Sequence, residues 1–323
     1  MLLFRMNKIL EATRYVVENS GLVKINCDKV TEFAKRFNSN NNAKHWLSTA
    51  LFNFFHFSDE DKLNFLFIFS ALNFSYWGDP KWTVEYKHKK HDGSLGMILA
   101  LERGIDEGIS LTNFKYCSEI SRKEFAHILR GSTEIPLFKE RWDSLCEMGE
   151  NIIANFDGNA GNLIKKANND AQKLVELIVL SFPSFSDTSM YKGEEIYFYK
   201  RAQLLVADIF QLFGGKGYGA LKNIDQITAC ADYKLPLILR NLGILEYLPV
   251  LAKKIDNKKE IEKGSIEEIE IRAGTIWAVE FIKEDVKKNN PQVMSFQIND
   301  NLWLAAQGNN DNKFYHRTRT TAY

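Results

Sequence analysis

The chain has 323 residues, with 42 Lys and Arg against 41 Asp and Glu, and 45% of its residues are hydrophobic. This length and apolar content are sufficient for a sizeable core and exclude a disordered chain. The net charge of +1 argues against a protein that coats long stretches of nucleic acid.

The cysteines and the apolar segments indicate where the chain resides. No C-x-x-C pair occurs, which predicts free thiols and neither a disulfide framework nor a zinc site at Cys27, Cys117, Cys146 and Cys230. The N-terminus lacks the apolar core of a signal peptide, and the apolar stretch 63–72 is too short to span a bilayer. We therefore expect a soluble, intracellular protein of the cytoplasm.

In chain order, the first departure from helical spacing comes at residues 82–86, where apolar and polar residues alternate. A basic turn with Asp92-Gly93 follows, and residues 94–100 can supply a second strand. In most of the remaining chain the apolar residues recur at helical spacing. The sequence therefore predicts a mainly α protein with one small β-hairpin insertion near residues 82–98.

Several helix boundaries can be predicted from caps and breakers. Ser121 with Glu124, and Ser265 with Glu268, have the spacing of capping boxes. Apolar spacing and the positions of proline and glycine predict three further helices: one long helix through residues 163–178, one through 199–213, and one from about Pro236 to Gly243.

Two polar segments, residues 38–42 and 256–260, interrupt the helical pattern. Both are short, neither is proline-rich, and apolar periodicity resumes on each side of them. We therefore expect one continuous domain over residues 1–323.

Residues 73–80 (NFSYWGDP) place an aromatic cluster beside an asparagine and an aspartate. Such a cluster can form a slot for a planar base, because aromatic rings stack on the base while polar groups bind its edge. The alternative is a core aromatic patch closed by a Gly-Asp-Pro turn.

Lys200 and Arg201 begin an otherwise apolar helix. A lysine held partly away from water at such a position can serve catalysis. The alternative is a structural lysine whose aliphatic stem covers the core while its ammonium group reaches water.

The glycine-rich segment 214–219 (GGKGYG) suggests a phosphate-binding loop. It lacks the G-x-x-x-x-G-K-[ST] spacing of a Walker A motif and follows a helix instead of a strand, so we exclude that motif. A hairpin that connects two helices is the better interpretation.

Asp232 lies just ahead of a predicted helix start at Leu235 or Pro236. Because helix N-termini stabilise negative charge, we expect its carboxylate to be ionised. An ionised carboxylate in a closed pocket can stabilise positive charge or orient a water molecule. A simple helix cap is the alternative role.

The histidines do not indicate a metal site. His88 and His91 lie in a lysine-rich turn without neighbouring carboxylates. Neither an H-E-x-x-H nor a G-x-S-x-G motif occurs in the chain. We expect neither a metal nor a cofactor.

A series of segments in fixed order resembles a known family over roughly residues 5 to 323. They are LNFSYW at 72–77, LERGIDEGIS at 101–110, IPLFKER at 135–141, SFPSFSD at 181–187, FYKRAQ at 198–203, ADYKLP at 231–236, EIEIR at 268–272 and YHRTR at 315–319. Each segment is weak evidence alone, but their joint order and spacing are specific. Together they resemble the queuosine salvage protein family.

The resemblance implies a fold and an activity. It implies hydrolysis of the N-glycosidic bond of queuosine 5'-monophosphate, which releases queuine, a modified 7-deazaguanine base. It also implies a helical fold like that of helix-hairpin-helix DNA glycosylases, in which a lysine acts with an aspartate some thirty residues later. Lys200 and Asp232 are 32 residues apart, with 214–219 as the turn between them.

The resemblance further implies roles for these two residues. Asp232 is expected to stabilise an oxocarbenium-like state and to activate a water molecule. Lys200 is expected to orient Asp232 or to hydrogen-bond the substrate, and a Schiff base on the lysine is the alternative.

The same resemblance implies a set of residues that bind the substrate. Aromatic walls for the base come from Phe74, Tyr76 and Trp77, and polar contacts to its edge or its amine come from Asn73, Asp79 and Asp187. Cations suit the 5'-phosphate, which makes His316, Arg317 and Arg319 candidates for it. Tyr199 and Tyr233 flank the two catalytic candidates and complete the predicted set.

Two other functions stay open at this point. One is a protein that binds queuine or queuosine without cleaving it, and the other is a glycosylase that acts on polymeric nucleic acid. A net charge of +1 does little for a polymer substrate. The expected partner is therefore a small molecule, with neither stable nucleic acid nor a membrane.

Overall fold

A computed structural model of the chain describes residues 7–37, 57–308 and 313–323. The polar segment 38–42 lies outside the described residues. The helices are α1 Lys8–Glu18, α2 Cys27–Arg36, α3 Asp59–Leu72, α4 Gly93–Asp106, α5 Phe114–Glu119, α6 Arg122–Ile128, α7 Phe138–Phe156, α8 Ala160–Lys166, α9 Ala171–Ser181, α10 Lys200–Leu212, α11 Lys234–Asn241, α12 Pro249–Asp256, α13 Ile266–Lys287 and α14 Ser295–Gly308. The prediction of a mainly α protein is confirmed, and the likeness to helix-hairpin-helix glycosylases stays a prediction.

The strands form three small antiparallel pairs in the described ranges. They pair β1 Val23–Ile25 with β6 Leu245–Tyr247, β2 Thr83–Tyr86 with β3 Lys89–Asp92, and β4 Thr188–Tyr191 with β5 Glu194–Tyr197. The first and third pairs are too short to give a clear alternating pattern, which is why the sequence did not indicate them.

The predicted hairpin is present, but its second strand and its turn differ from the prediction. The turn is Lys87-His88, where φ is 48° and 62°, and the second strand is Lys89–Asp92. Positive φ at both central residues is the geometry that matches the twist of a tight two-residue hairpin. Residues 94–100 belong instead to α4, in which residues 96–101 are buried on all sides.

The helix predicted through residues 163–178 is two helices. α8 ends at Lys166, and α9 begins at Ala171 with Asp170 as its cap, accepting a hydrogen bond from the Lys173 backbone. Asn168 and Asn169 break the helix with φ of 56° and 52°. Asparagine tolerates this left-handed conformation, and the apolar stripe continues across the break because both helices face the same core.

The predicted caps are largely confirmed. Ser121 and Glu124 form a reciprocal capping box at the start of α6. Ser265 accepts from the Glu268 backbone at the start of α13, but the Glu268 carboxylate turns to other partners, so this box is only half formed. Pro236 lies in the first turn of α11, which ends before Gly243.

The connection between α10 and α11 contains the glycine-rich segment 214–219, as predicted. Three of its glycines have positive φ, and Gly217–Gly219 is a short 3-10 turn. All four cysteines are free, with Cys117 and Cys230 buried, Cys146 half-buried and Cys27 exposed.

The apolar helix α3 is the centre of the main core. Its residues 63–72 are buried all round, and it packs against α4, α7, α8 and α10. This explains an apolar run without a polar face. Within the described ranges, no helix combines the length and the apolar content needed to cross a membrane. A second core joins α2, α11, α13 and α14. Residues 73–77, which follow α3, line one cavity together with residues of α10 and of the start of α11.

Candidate active site

A cavity of about 680 Å³ lies where five parts of the chain meet. These are residues 73–77 after α3, the β2–β3 hairpin with the start of α4, the N-terminal half of α10, residues 230–235 at the start of α11, and α14 with Tyr315 and Tyr323. Sites for small molecules have volumes of roughly 300–1,000 Å³. The cavity is therefore large enough for a single nucleotide.

Seven of the thirteen predicted site residues line this cavity, namely Asn73, Phe74, Tyr76, Trp77, Lys200, Asp232 and Tyr233. The structure brings together the aromatic segment, the lysine and the aspartate, which are far apart in the sequence. The remaining six are not part of the lining: Asp79, Asp187, Tyr199, His316, Arg317 and Arg319.

Asp232 is both a helix cap and a wall of the cavity. Its side chain is 8% exposed, and Oδ1 accepts hydrogen bonds from the backbone N–H groups of Lys234 at 2.7 Å and Leu235 at 2.9 Å. These bonds and the start of α11 stabilise a negative charge. Among the described residues, Oδ2 has no hydrogen-bond donor. The two roles weighed from the sequence are therefore compatible, because each needs only one oxygen.

Lys200 presents a buried ammonium group to the same cavity. It is the first residue of α10 and is 6% exposed. Its backbone N–H donates to Asp187 Oδ2 at 3.0 Å, whereas Nζ forms no hydrogen bond or ion pair within the part of the chain that the structure describes. A buried ammonium group without a partner is costly, so a polar ligand in the cavity is its natural partner.

Cys230 shows how close the charged groups are. Burial raises the pKa of its thiol, the Lys200 ammonium lowers it, and the carboxylates of Asp300 and Asp232 raise it. The thiol therefore lies near the lysine and near several carboxylates, among them Asp208, which also raises its pKa. Lys200, Asp232 and Asp300 all line the cavity, and they are called its charged end below.

A buried ion pair lies directly behind the two predicted catalytic residues. Both guanidinium nitrogens of Arg272 bind Asp187, at 2.8 Å and 2.6 Å, and Arg272 Nε donates to the Ala231 carbonyl at 3.2 Å. Burial alone lowers the pKa of Arg272, but the Asp187 carboxylate raises it above its usual value. Because Asp187 also accepts the Lys200 backbone N–H, this pair links the backbones that carry Lys200 and Asp232.

The ion pair explains why Asp187 does not line the cavity, and the backbone at the start of α10 explains the same for Tyr199. Both Asp187 oxygens accept hydrogen bonds from Arg272, and the Asp187 side chain is almost fully buried. Tyr199 precedes Lys200 with φ of 49°, and its ring lies 5.7 Å from that of Tyr197. The left-handed backbone at Tyr199 starts α10 without placing the tyrosine among the lining residues.

The aromatic wall is supported by two buried arginines. The Phe74 ring centroid lies 4.3 Å from the Arg141 guanidinium and 4.9 Å from that of Arg201. Arg141 also lies 4.8 Å from the Tyr76 ring, and burial lowers the pKa of Arg141 to about 10 and of Arg201 to about 9. Both arginines donate to carbonyl groups of residues 70–75, which holds this segment in place.

Trp77 is held from behind by the C-terminal segment. The Arg319 guanidinium lies 3.5 Å from the indole centroid and donates to the Trp77 carbonyl at 2.9 Å. Arg317 lies 5.7 Å from the same ring, and the indole N–H donates to the Thr318 carbonyl. The arginines predicted to hold a phosphate therefore contact Trp77 and are not part of the cavity lining. Asp79, two residues later, is exposed to solvent.

Sequence reasoning missed one whole wall of the cavity. α14 contributes Asn299, Asp300, Trp303, Leu304 and Gln307, and Asn299 Oδ1 accepts from the Cys230 backbone at 2.9 Å. The signal was present, because residues 299, 303 and 307 recur every four residues along one helical face. The hairpin side chains of Lys81, Lys90, His91 and Asp92 were missed as well, and only the β2–β3 pairing brings them to the cavity.

His316 carries a prediction about pH. The imidazole is buried with Nε2 3.1 Å from the Tyr323 hydroxyl, and burial followed by Arg272 lowers its pKa to about 3. The unfolded histidine titrates near pH 6.5, so below that pH the unfolded state binds more protons and folding stability falls. We expect this group to remove about 2 kcal/mol of unfolding free energy between about pH 7 and pH 5.

Urea unfolding of the wild type and of His316→Asn at several pH values measures this effect. The difference in unfolding free energy between the two proteins should shrink as the pH falls, because only the wild type has a residue 316 that takes up a proton on unfolding. His88→Asn, at the exposed turn of the hairpin, is the matched control and should keep the pH dependence of the wild type. A difference that does not vary with pH would contradict a buried neutral His316.

The described residues do not form a metal site. In these ranges, no group of three or more His, Cys, Asp or Glu side chains is arranged to hold a metal ion.

Comparisons with known proteins place the chain among its relatives. A sequence model of the family described as Queuosine salvage protein matches residues 54–323. A Sphaerobacter thermophilus protein is 37% identical over 318 residues, which cover 98% of this chain and 97% of that protein. A Bos taurus protein is 35% identical over 82% of this chain and 83% of its own length. A Schizosaccharomyces pombe protein is 31% identical over 94% and 92%.

All three relatives carry the name queuosine 5'-phosphate N-glycosylase/hydrolase. The match of the family model over most of the chain agrees with the similarity of these relatives over nearly their full length. This chain belongs to the queuosine salvage protein family.

Proposed function

We propose that this protein hydrolyses the N-glycosidic bond of queuosine 5'-monophosphate and releases queuine. The observation that carries the proposal is Asp232, a buried carboxylate on the cavity wall with one oxygen fixed by the start of α11. Its neighbour in the cavity is the buried Lys200, and the names of the relatives supply the substrate. The rest of the mechanism follows from where these groups lie.

The base occupies the aromatic end of the cavity in this proposal. Phe74, Tyr76 and Trp77 give apolar faces for a planar 7-deazaguanine, and Asn73 offers both a donor and an acceptor to its edge. Tyr233 lies next to Asp232 and closes the same side. The ribose then lies over Asp232, between the base and the charged end.

Cleavage leaves positive charge on the ribose, and Asp232 is the group that stabilises it. As the bond from the anomeric carbon to the base nitrogen breaks, its electron pair leaves with the base, whose nitrogen finally takes up the proton that Asp232 receives from the attacking water. Water adds to the anomeric carbon and gives a proton to the Asp232 carboxylate. Oδ1 is fixed by two hydrogen bonds and Oδ2 has no donor among the described residues, which suits this double role, since the carboxylate does not have to reorient during the reaction.

Lys200 acts beside Asp232 as a hydrogen-bond donor. Its ammonium group has three N–H bonds to offer and no partner within the described part of the chain. The oxygen of a ribose hydroxyl or of the attacking water can accept a hydrogen bond from this ammonium group. A Schiff base is not needed for hydrolysis, because water is the nucleophile.

Trp77 supplies a test of the base site. We expect Trp77→Ala to weaken queuine binding about 10- to 100-fold, because stacking on one aromatic side chain contributes about 1–3 kcal/mol. Calorimetric titration with queuine measures the change. Trp277→Ala is the matched control, since this half-buried tryptophan lies on α13 beside Arg14 and does not line the cavity. Equal losses in both variants would remove Trp77 from the base site.

The proposed function is tested by incubating the protein with queuosine 5'-monophosphate and measuring free queuine by mass spectrometry. Release of queuine and ribose 5-phosphate in equal amounts is expected. Tight queuine binding without turnover would favour a carrier instead. Release from intact queuosine-containing tRNA, but not from the mononucleotide, would favour a glycosylase that acts on polymer.

A further inference from the structure

We propose that Gln203 is a positioning residue that fixes the backbone of Lys200 relative to that of Asp232. This inference rests on the proposed function, because it concerns the two residues to which that function assigns the chemistry. Gln203 lies in α10 one turn after Lys200, is 1% exposed and is not part of the cavity lining. It therefore acts on the reaction only through the backbone groups that it contacts.

The side-chain amide of Gln203 joins two distant parts of the chain. Its Nε2 donates to the Phe198 carbonyl at 2.9 Å, two residues ahead of Lys200. Its Oε1 accepts from the Thr228 backbone N–H at 2.9 Å and from the Thr228 hydroxyl at 3.0 Å, four residues ahead of Asp232. One side chain is thus bonded to both segments that lead into the proposed catalytic pair.

The two contacts require the chemistry of an amide. A backbone carbonyl can only accept a hydrogen bond and a backbone N–H can only donate one, so a side chain that bridges them needs one donor and one acceptor. Glutamine carries both on the same carbon. A glutamate of the same length offers only acceptors when it is ionised, and a methionine offers no donor. The link therefore explains why a buried glutamine stands at position 203.

The buried segment 227–232 depends on such side-chain partners. It is neither helical nor paired with another strand within the ranges that the structure describes. A buried backbone N–H without a partner is costly, so these groups have to find acceptors elsewhere. The Thr228 N–H is bonded to Gln203, and the Cys230 N–H to Asn299 at 2.9 Å. The two side-chain amides take the place of a neighbouring strand and hold the segment that ends at the proposed catalytic carboxylate.

Gln203 adds a second link between the segments that carry Lys200 and Asp232. The buried Asp187–Arg272 pair already connects these two segments. The Gln203 amide connects them through different atoms. A single link fixes a distance and still allows rotation, whereas two links remove that rotation as well. Because a displacement of about 1 Å can cost about 100-fold in rate, the loss of the second link should appear in kcat.

The test compares kcat and KM for queuosine 5'-monophosphate in the wild type, Gln203→Met and Gln203→Asn. Methionine has nearly the length of glutamine but no donor, so kcat should fall about 10- to 100-fold while KM changes less than about twofold. Gln203→Asn keeps the amide but is one methylene group shorter and can no longer bridge both segments. Its kcat should fall less, and it decides the question if Gln203→Met does not fold.

Asn64→Leu is the matched control. Asn64 is a buried amide in α3 that donates to the Thr112 carbonyl at 3.0 Å, and it does not line the cavity. Its replacement removes a buried hydrogen bond of the same kind, so it should reduce stability in urea and leave kcat as in the wild type. A kcat for both Gln203 variants equal to that of Asn64→Leu would overturn the proposal, as would a rise in KM at constant kcat.

Hydrogen exchange, measured by mass spectrometry on peptides that cover residues 227–235, separates the link from catalysis. The Thr228 N–H loses its acceptor in Gln203→Met, so exchange in this segment should be faster than in the wild type. Asn64→Leu should keep the wild-type rate there. If no protein releases queuine, the wild type included, the proposed function fails, and faster exchange in Gln203→Met still supports the link. Exchange that is unchanged in this segment would overturn it.

Discussion

Replacing Asp232 with asparagine is expected to reduce queuine release by about a thousandfold. A neutral amide neither balances the positive charge on the ribose nor accepts a proton from the attacking water. Binding of queuine itself should change little, because the aromatic residues that hold the base are untouched. The rate is measured as queuine released under single-turnover conditions, which separates the chemical step from product release.

The same variant is expected to keep its fold. Asparagine is as good a helix cap as aspartate, so the two hydrogen bonds from the start of α11 can be retained. Asp170→Asn is the matched control, because Asp170 caps α9 in the same way but lies outside the cavity lining. A rate for Asp232→Asn close to that of the control would show that the carboxylate charge is not required.

Replacing Arg272 with methionine is expected to lower the free energy of unfolding by about 3–5 kcal/mol. The substitution leaves the Asp187 carboxylate buried without its partner and removes the donor to the Ala231 carbonyl. It also removes guanidinium contacts to the rings of Phe198 at 3.9 Å and Tyr323 at 4.4 Å. Urea unfolding at neutral pH measures the loss.

Arg240→Met provides the comparison for this prediction. Arg240 holds Asp256 with two bonds at 2.7 Å and 2.8 Å, similar to the geometry at Arg272, but the Asp256 side chain is 43% exposed. Water can therefore replace the lost partner, and we expect a loss of about 1 kcal/mol or less. Similar losses for both variants would mean that burial of the Asp187 pair contributes little.

Arg272→Met should also reduce kcat in the fraction that remains folded. Asp187 accepts the Lys200 backbone N–H and Arg272 binds the carbonyl that precedes Asp232, so the ion pair positions both residues without being part of the cavity lining. Arg272→Lys restores the charge but not the two parallel bonds, and it should recover stability more than rate. If Arg272→Lys recovers both the stability and the rate of the wild type, the positive charge of Arg272 is sufficient and its two parallel hydrogen bonds are not required.

The elements that the sequence predicted correctly are those with local causes. The capping box of Ser121 and Glu124 involves residues three apart, and α10 follows from one apolar stripe. Pro236 and Gly243 delimit α11 because each restricts or frees its own backbone. The incorrect prediction of one helix through residues 163–178 also has a local cause. Asn168 and Asn169 broke a helix whose apolar pattern runs on, since periodicity reports burial and not continuity.

The candidate site divides in a similar way. The sequence alone selected the aromatic segment, Lys200 and Asp232, because an aromatic cluster, a lysine on an apolar helix and an aspartate ahead of a helix start are recognisable locally. The order of the motifs indicated the family. The sequence could not show the surroundings of Asp187, which the family resemblance made a plausible ligand of the base. Its partner Arg272 is 85 residues away, and only packing decides that the two meet.

Thus the sequence by itself determined the helical class, most of the caps and the identity of the family, which depend on short-range hydrogen bonds, periodicity and motif order. Only the tertiary structure decided which polar side chains reach the cavity. It added the α14 wall and the hairpin side chains to the cavity lining, and it put His316 in the interior. The reason is physical: whether a charged group faces a ligand or a partner depends on desolvation and contacts between distant segments, and no local pattern records either.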